Sequence, residues 1–574
     1  MRVGLKSNWI ESRDGPAGHR DVILLTGERL PFRSMFPEHV MDFGDPGSLE
    51  GWGEESRLAR KGRWEPKGRL SRNWGQPDPA QLERLQMSLL RKQLKEKILP
   101  FHPHYRQSLS DLDIESLQRY DDMSKIPFST KSDVAPTADT PDRPKNFVLQ
   151  PDQDSIRKVL TPFQKAGMMW TAMRHGKAEV RRRLGTEYRP VQAFFTTGRT
   201  ALPTAFFLSR YDLDVLHECG RRMGEVIGMG DEAGGPSSED RLVSVFPYAP
   251  HLAFWQVYGV GLANEVFTLH TGGGRAMGTE KILRVLEKMR PSHLTGIPGY
   301  VYHLIRQGKE QGRDLSSIEV VFLGGDRVTA GYRQKLASLL KEIGSKDPIV
   351  FSVFGFTESR KCWVECPGGV ETGFHSYPDF DLFEIVDPET GDRLPDGETG
   401  ELVYTPLDGR GSIIMRYRTG DLANGGMTHE PCPACGRTVP RFSSDLSRAS
   451  NQTDMSLTKI KGTLVNLNVI SDLLTDSPLV DEWQIVLSKR NDDPLDVDEM
   501  RIAVSLMDGQ PQDNVGETLA SQIQIASEVR PSHMEFLDRE EMLQRLGMET
   551  QLKEKRIIDL REQVASDDGE DSSK

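Results

Sequence analysis

The sequence predicts an α/β protein: a large N-terminal domain of helix-wrapped parallel sheets with a β-rich subdomain, then a small α+β C-terminal domain. Three observations carry this reading. From Arg241 onward, short apolar runs alternate with amphipathic helical stretches, the signature of a parallel sheet wrapped by helices. After Phe380, apolar runs are separated by the turn signals Asp387 to Gly391 and Asp396 to Gly400, which predicts a β-rich subdomain. Beyond about Arg448 a shorter mixed region follows, with strand character at 483–487 and 500–506 and a helix at 516–529.

Residues 1–76 are rich in Gly, Arg, Pro and Trp, lack periodicity, and read as an N-terminal extension lying on a larger body. Asp78 before Pro79 marks a helix start, and Leu82, Leu85, Leu89, Leu90 and Leu94 recur at spacings of three and four to give one apolar face. Residues 152–186 are again helical, with a basic face expected in solvent. The alternation then predicts strands at 242–246, 265–269, 293–297, 318–323 and 349–354, with helices at 280–289, 300–311 and 331–343 between them. The expected domains are 77–447, 448–565 as a small mobile unit, and an acidic disordered tail at 566–574.

The 574 residues exceed what one compact core organises. A net charge of −12 with no evident basic face argues against nucleic acid as a partner. No apolar run approaches the ~20 residues of a membrane span. The first residues lack the apolar core of a signal peptide, so a cytoplasmic location is expected. Five cysteines, an odd and sparse set, do not resemble a disulfide framework.

In parallel sheets ligands bind outside the carboxyl ends of the strands. The segments leaving those ends here are Thr271 to Gly274, Gly296 to Pro298, Gly324-Gly325-Asp326 and Gly355 to Glu358. A hydroxyl-rich loop, Thr196, Thr197, Gly198, Arg199 and Thr200, could present N–H groups and side-chain donors to phosphate, although such loops also serve as ordinary turns. Cys432 and Cys435 flank Pro433 and Ala434 as a knuckle of the kind that grips zinc. Aromatic residues Tyr248, His251, Phe254, Trp255 and Tyr258, with Pro298 and Tyr300, are candidates for a pocket wall and equally for core.

The run TTGRTALPT at 196–204 resembles the phosphate loop of the phenylacetate–CoA ligase family, within the adenylate-forming enzymes. Further landmarks follow in that family's order: IPFSTKSDV at 126–134, LTGIPGY at 294–300, FLGGD at 322–326, FGFTES at 354–359, MRYRTGDL at 415–422, EPCPACGRT at 430–438, KIKG at 459–462 and QLKEKRIIDLR at 551–561. The resemblance implies an ATP-dependent acyl-CoA ligase that activates a carboxylic acid, of aryl or arylacetic class, through an acyl-adenylate. ATP, CoA and Mg²⁺ are then its small-molecule partners, and a homodimer is an assembly the reading allows.

It also implies roles. Phe354, beside Gly355 and Phe356, would lie against adenine; Thr357 would bond the α-phosphate; Glu358 would help hold Mg²⁺; Asp421 would take the ribose hydroxyls. Gly324, Gly325 and Asp326 would line the adenine side, and Arg448 would hold the nucleotide near a hinge at Asp454. Lys553 would stabilise charge on the α-phosphate during adenylation. Cys366 and His375 would complete a structural zinc site with Cys432 and Cys435, with Cys362 and His429 as alternatives.

The chain departs from the pattern in the phosphate loop, where Arg199 replaces a small or hydroxyl residue and Ala201-Leu202 replace Gly-Lys. Loss of the lysine removes a cation near the departing pyrophosphate, and Arg199 offers a planar fork in its place. Two other readings stay open at this point: an adenylating enzyme that loads a carrier protein or an amine, and a nucleotide-binding protein without catalysis.

Overall fold

The structure, a computed structural model, describes residues 21–23, 29–31 and 73–561, apart from 138, 197–203, 230–239, 370–371, 449–456, 461–462, 491–497, 508, 511, 528 and 549–553. The chain divides into two compact units, Met1–Arg69 and Leu70–Lys574. The described part of the first is an antiparallel pair, Asp21–Ile23 with Arg29–Pro31.

The second unit is built on a six-stranded sheet. In spatial order its strands are Lys361–Val364, Ile349–Phe356, Val320–Gly324, His293–Gly296, Arg241–Ser244 and Phe267–His270. Five run parallel, and Lys361–Val364 folds back antiparallel on Ile349–Phe356. Helices Leu252–Ala263, Thr279–Met289, Pro298–Glu310 and Ala330–Glu342 make the crossovers. All five expected parallel strands and all three expected helices are present, within a few residues of their expected bounds.

Two further sheets form the β-rich part. Asp381–Val386, Gly400–Pro406, Tyr417–Ala423 and Leu446–Arg448 pair antiparallel, and the short strands Phe374–His375, Arg441–Phe442 and Met427–Thr428 form a small sheet beside them. The C-terminal part has the order His533–Phe536, Asp498–Leu506, Val480–Lys489, Ile557–Asp559, mixing one antiparallel and two parallel pairings. Helices Leu467–Asp476 and Gln512–Ser527 bury Ile470, Leu474, Leu519 and Ile523 with Trp483, Ile485 and Ile502.

The helix after Asp78 runs Pro79–Gln93, and the Asp78 carboxylate accepts from the Ala80 N–H as an N-cap. Its buried face differs from the expected leucine stripe. Leu82, Gln86, Met87, Leu90 and Gln93 are covered, whereas Leu85 and Leu89 are only half-buried. The two glutamines tolerate burial because their amides donate to backbone carbonyls of distant loops: Gln86 to Pro378 and Asp381, Gln93 to Gly409. The basic 152–186 region forms Gln153–Val159 and Pro162–Tyr188, the latter kinked at Gly176 (φ 83°).

The strand Ile349–Phe356 is anchored from behind by Glu365, whose side chain is wholly buried. Its carboxylate accepts the Ser352 N–H at 2.6 Å and both Arg333 terminal nitrogens at 2.7 and 3.0 Å. Removing one partner of a buried pair leaves an uncompensated charge, so Glu365→Ala should cost about 3–5 kcal/mol of stability in denaturant unfolding. Arg333→Met together with Glu365→Met should cost less than that single change.

Candidate active site and thiol–imidazole cluster

The carboxyl ends of the parallel strands converge on one rim. After Val320–Gly324 the chain turns at Gly325 (φ 89°), a backbone conformation that favours glycine. The Asp326 carboxylate then accepts the Arg327 N–H at 2.9 Å. After Arg241–Ser244 and Phe267–His270, the Thr271 N–H and hydroxyl both donate to the Ser244 carbonyl at 3.0 Å, tying the glycine segment 272–274 to the neighbouring strand end. After His293–Gly296 comes helix Pro298–Glu310, with Pro298, Gly299 and Tyr300 in its first turn. Pro298 is buried, and its carbonyl accepts the Tyr332 hydroxyl.

The strand Ile349–Phe356 delivers Phe354 to Glu358 to the same rim. Gly355 has no room for a side chain, since a Cβ there would collide with the Cys362 sulfur. Phe354 is half-buried, its ring 5.6 Å from those of Phe374 and Phe442 and 6.2 Å from Trp363. It is thus part of an aromatic cluster behind the rim. Phe356 stacks on Tyr417 at 6.0 Å, and the Tyr417 hydroxyl donates to Glu358 Oε1 at 3.0 Å. Thr357 and Glu358 are both half-buried. Asp421 lies on the strand that begins at Tyr417. It is buried, donates its N–H to Thr419 Oγ1 at 3.1 Å, and sits opposite Arg448 in register.

Strands Pro190–Phe195 and Ala205–Ser209 form a hairpin closed by Thr196. The Thr196 N–H donates to the Thr204 carbonyl at 3.0 Å, and the Thr196 hydroxyl accepts the Thr204 N–H at 3.4 Å. Thr197, Gly198, Arg199 and Thr200 lie outside the described residues, as do Asp454 and Lys553.

A contact absent from the sequence reading bounds the rim. Glu554 seats its carboxylate on Gly299, where a Cβ would overlap Oε1. Arg556 lies between Glu554 and Glu482, with 2.7 Å to Glu482 Oε2, and stacks 5.2 Å from Trp483. Burial pushes the Glu554 carboxyl up to about 7; Arg556 opposes the rise, while Glu482 and Asp326 add to it.

Tyr248, Phe254, Trp255 and Tyr258 form an edge-to-face chain, and His270, which sequence reasoning missed, packs tilted against two of its rings. Phe254 and Tyr258 lie 5.2 and 5.7 Å from that imidazole, and Tyr248–Phe254 is 5.1 Å. Tyr248 is 64% exposed, so this chain opens to solvent and is not closed core. Burial lowers the pKa of both His251 and His270, favouring neutral rings, and Nδ1 of each lacks a hydrogen-bond partner.

The thiol–imidazole cluster is separate. One ligand atom from each of Cys366, His375, Cys432 and Cys435 falls within 4.8 Å of the others. Cys366 Sγ is 3.7 Å from Cys432 Sγ, and Cys435 Sγ is 3.3 Å from His375 Nε2. His375 Nδ1 lies 3.3 Å from the Val364 carbonyl, which orients Nε2 toward the sulfurs. The knuckle turns because the Gly436 N–H donates to the Cys432 carbonyl and Gly436 adopts φ 69°. A hydrogen bond with Cys366 is the largest influence holding the Cys435 thiol down to about 2, favouring thiolate. The alternatives go elsewhere: Cys362 is buried against Leu208 and Leu252, and His429 Nδ1 pairs with Asp396 at 2.8 Å.

This combination of a parallel-sheet rim, a β-rich subdomain and a small mixed C-terminal part is the fold of adenylate-forming enzymes. The 2-hydroxyisobutyryl-CoA ligase structure in its postadenylation state superposes with TM-score 0.66 at 18% identity, over 88% of this chain and 96% of that one. Residues 150–411 match the family model of the AMP-binding enzymes, and the chain is similar to phenylacetate-coenzyme A ligases. It is 28% identical to the phenylacetate-coenzyme A ligase of Thermus thermophilus over 326 residues, 54% of this chain and 65% of that enzyme, so this match spans somewhat less than two thirds of the relative. Against the phenylacetate-coenzyme A ligase of Aromatoleum evansii it is 23% identical, over 77% of this chain and 86% of that enzyme.

The raised Glu554 pKa gives a pH prediction. Between the ordinary 4.5 and about 7, the folded protein holds a proton that the unfolded chain has released. Stability should therefore fall as pH rises through that window. Glu554→Gln should flatten this slope in thermal unfolding measured across pH 4.5 to 7.

Proposed function

We propose that this chain is an AMP-forming acid–CoA ligase. A carboxylate oxygen attacks the α-phosphorus of ATP and pyrophosphate leaves; the CoA thiolate then attacks the acyl carbon of the adenylate, and AMP departs. The observation that carries the reading is the convergence at the rim. Gly324-Gly325-Asp326, Gly299 and the Phe354–Glu358 segment leave neighbouring parallel strands together, and the segment after Lys553 is seated on Gly299 through Glu554.

In this reading Thr357 bonds the α-phosphate, Asp421 takes the ribose hydroxyls, and Asp326 with its two glycines lines the adenine side. The half-buried Phe354 ring and Arg448 bear on the nucleotide, and residues 196–200 face its phosphates. Glu358, held through one oxygen by Tyr417, offers carboxylate chemistry suited to a hard divalent cation. Bound Mg²⁺ would supply neutralisation of phosphate charge. Lys553 stabilises charge on the α-phosphate in the first step only, and residues 448–565 rotate about a hinge near Asp454 for the second. The open aromatic chain of Tyr248, Phe254 and Trp255, with His251 and Pro298, supports an aryl or arylacetic acid as substrate.

The four-residue cluster fits zinc by its donor chemistry: three thiols and an imidazole with an oriented tautomer. A closed set of four leaves no position for substrate, so this metal would staple the β-rich part. No helix among the described residues is long and apolar enough to cross a membrane. A cytoplasmic location and a homodimer belong to the same proposal, the latter checked by mass photometry.

Incubation with ATP, Mg²⁺ and a panel of acids, with and without CoA, tests the activity by mass spectrometry of pyrophosphate and acyl-CoA. Thioester that depends on CoA is the expected result. Pyrophosphate without thioester would move the acceptor to a carrier protein or an amine, and ATP binding with no turnover of any acid would leave a nucleotide-binding protein. Lys553→Ala should slow adenylation on the order of a hundredfold. Metal analysis should find one zinc per chain, lost in Cys435→Ser; metal-free native protein would overturn the zinc assignment.

A further inference from the structure

We propose that Asp481 is a positioning residue for the adenylation half-reaction, holding residues 448–565 against 77–447 through a buried ionic cage; this rests on the ligase reading above. The cage begins with a β-bulge. Val480 pairs with Leu506 and Glu482 with Ser505, so Asp481 is the extra residue between them. A bulge re-aims side chains at a strand end. Here it leaves two consecutive acids, Asp481 and Glu482, both buried.

The Asp481 carboxylate, wholly buried, contacts the Arg306 guanidinium and lies 3.3 Å from Arg539 Nε. Glu310 closes the cage, 3.1 Å from Arg306 Nε and 2.9 Å from Arg539 Nη1. Lys335 Nζ donates to the Val480 carbonyl at 2.6 Å, and more weakly to that of Asp481 at 3.4 Å. Arg306, Glu310 and Lys335 come from the large part of the chain; Asp481 and Arg539 come from the small one. The charges therefore alternate across the joint.

Two features make this joint one that can open. It borders a cavity of about 700 Å³, lined from one side by His303, Arg306 and Gln307 and from the other by Arg539, Leu543 and Gln544. Packing there is incomplete, although Met542, Leu546 and Met548 supply apolar contact nearby. Each charged group can also recover water when the two parts separate, so the joint is not committed to closure as a fully apolar core would be. The neighbouring acid Glu482 reaches Arg556, and Arg556 reaches Glu554 on Gly299. The cage and the seat of the segment following Lys553 thus share one strand end. Without Asp481, the Arg306 and Arg539 guanidiniums lose the buried carboxylate they share, leaving Glu310 between them and Glu482 near Lys335, which disfavours the docked arrangement.

Adenylation needs that docked arrangement and thioester formation does not. Asp481→Asn should slow single-turnover acyl-adenylate formation about tenfold, the scale of a modest conformational coupling. Thioester formation from supplied acyl-adenylate and CoA should be unchanged. Hydrogen exchange on the unliganded protein gives a readout that needs no catalysis: Pro298–Glu310 and Arg539–Leu546 should exchange faster in the variant, with Val320–Gly324 unaltered. Glu310→Gln, on the partly exposed side of the cage, should move both readouts the same way by less, and decides the matter if Asp481→Asn does not fold. Equal slowing of both half-reactions with faster exchange at Val320–Gly324 would reduce Asp481 to a structural role. Unchanged exchange on the two facing helices would overturn the proposal. Wild-type protein that makes no acyl-adenylate from any acid would instead overturn the ligase reading, and the exchange data would still decide whether Asp481 holds the joint.

Discussion

The rim depends on one buried carboxylate. Glu365 takes the Ser352 N–H and the Arg333 fork behind the strand Ile349–Phe356. That strand is where the parallel sheet ends and the antiparallel return to Lys361–Val364 begins. Because it is pinned there, its last residues emerge at a fixed height, and Phe356 and Glu358 meet Tyr417 from the β-rich sheet. The Gly355 backbone can approach Cys362 only because it carries no side chain. One ion pair thus helps fix the strand end from which Thr357 and Glu358 reach the rim.

The chain holds three kinds of polar site. The thiol–imidazole cluster is closed: its four donors face one another, and the His375 ring is oriented by the Val364 carbonyl. The rim is open, with half-buried Thr357 and Glu358 at the ends of strands. Between the large and small parts of the chain lies a third kind, the cage around Asp481, which is buried but divided across a joint. Closed, open and divided sites suit stapling, binding and switching respectively.

Much of the fold was legible because parallel strands buried on both faces read as apolar runs ended by glycine. The strand at 293–297 stood out for that reason, and the one at 349–354, only partly covered, shows the same apolar run ended by Gly355. What stayed hidden depends on partners far along the chain. Gln86 and Gln93 look like solvent-facing positions, and only carbonyls some three hundred residues away explain their burial. The strand Lys361–Val364 was missed because its buried Lys361 is neutralised by Asp381, a pairing no local pattern reveals. In the site, the cysteine knuckle declared itself by spacing, whereas Cys366 and His375 came from the family resemblance. Glu554 and His270 gave no signal, since one depends on Gly299 and the other on the rings of Phe254 and Tyr258.

In the proposed reaction the carboxylate itself attacks the α-phosphorus. An arylacetic acid labelled with heavy oxygen in its carboxyl group, turned over with ATP, Mg²⁺ and CoA, tests this in the AMP produced. One labelled oxygen is expected in every AMP. Thioester formed alongside unlabelled AMP, or label found in pyrophosphate, would contradict it.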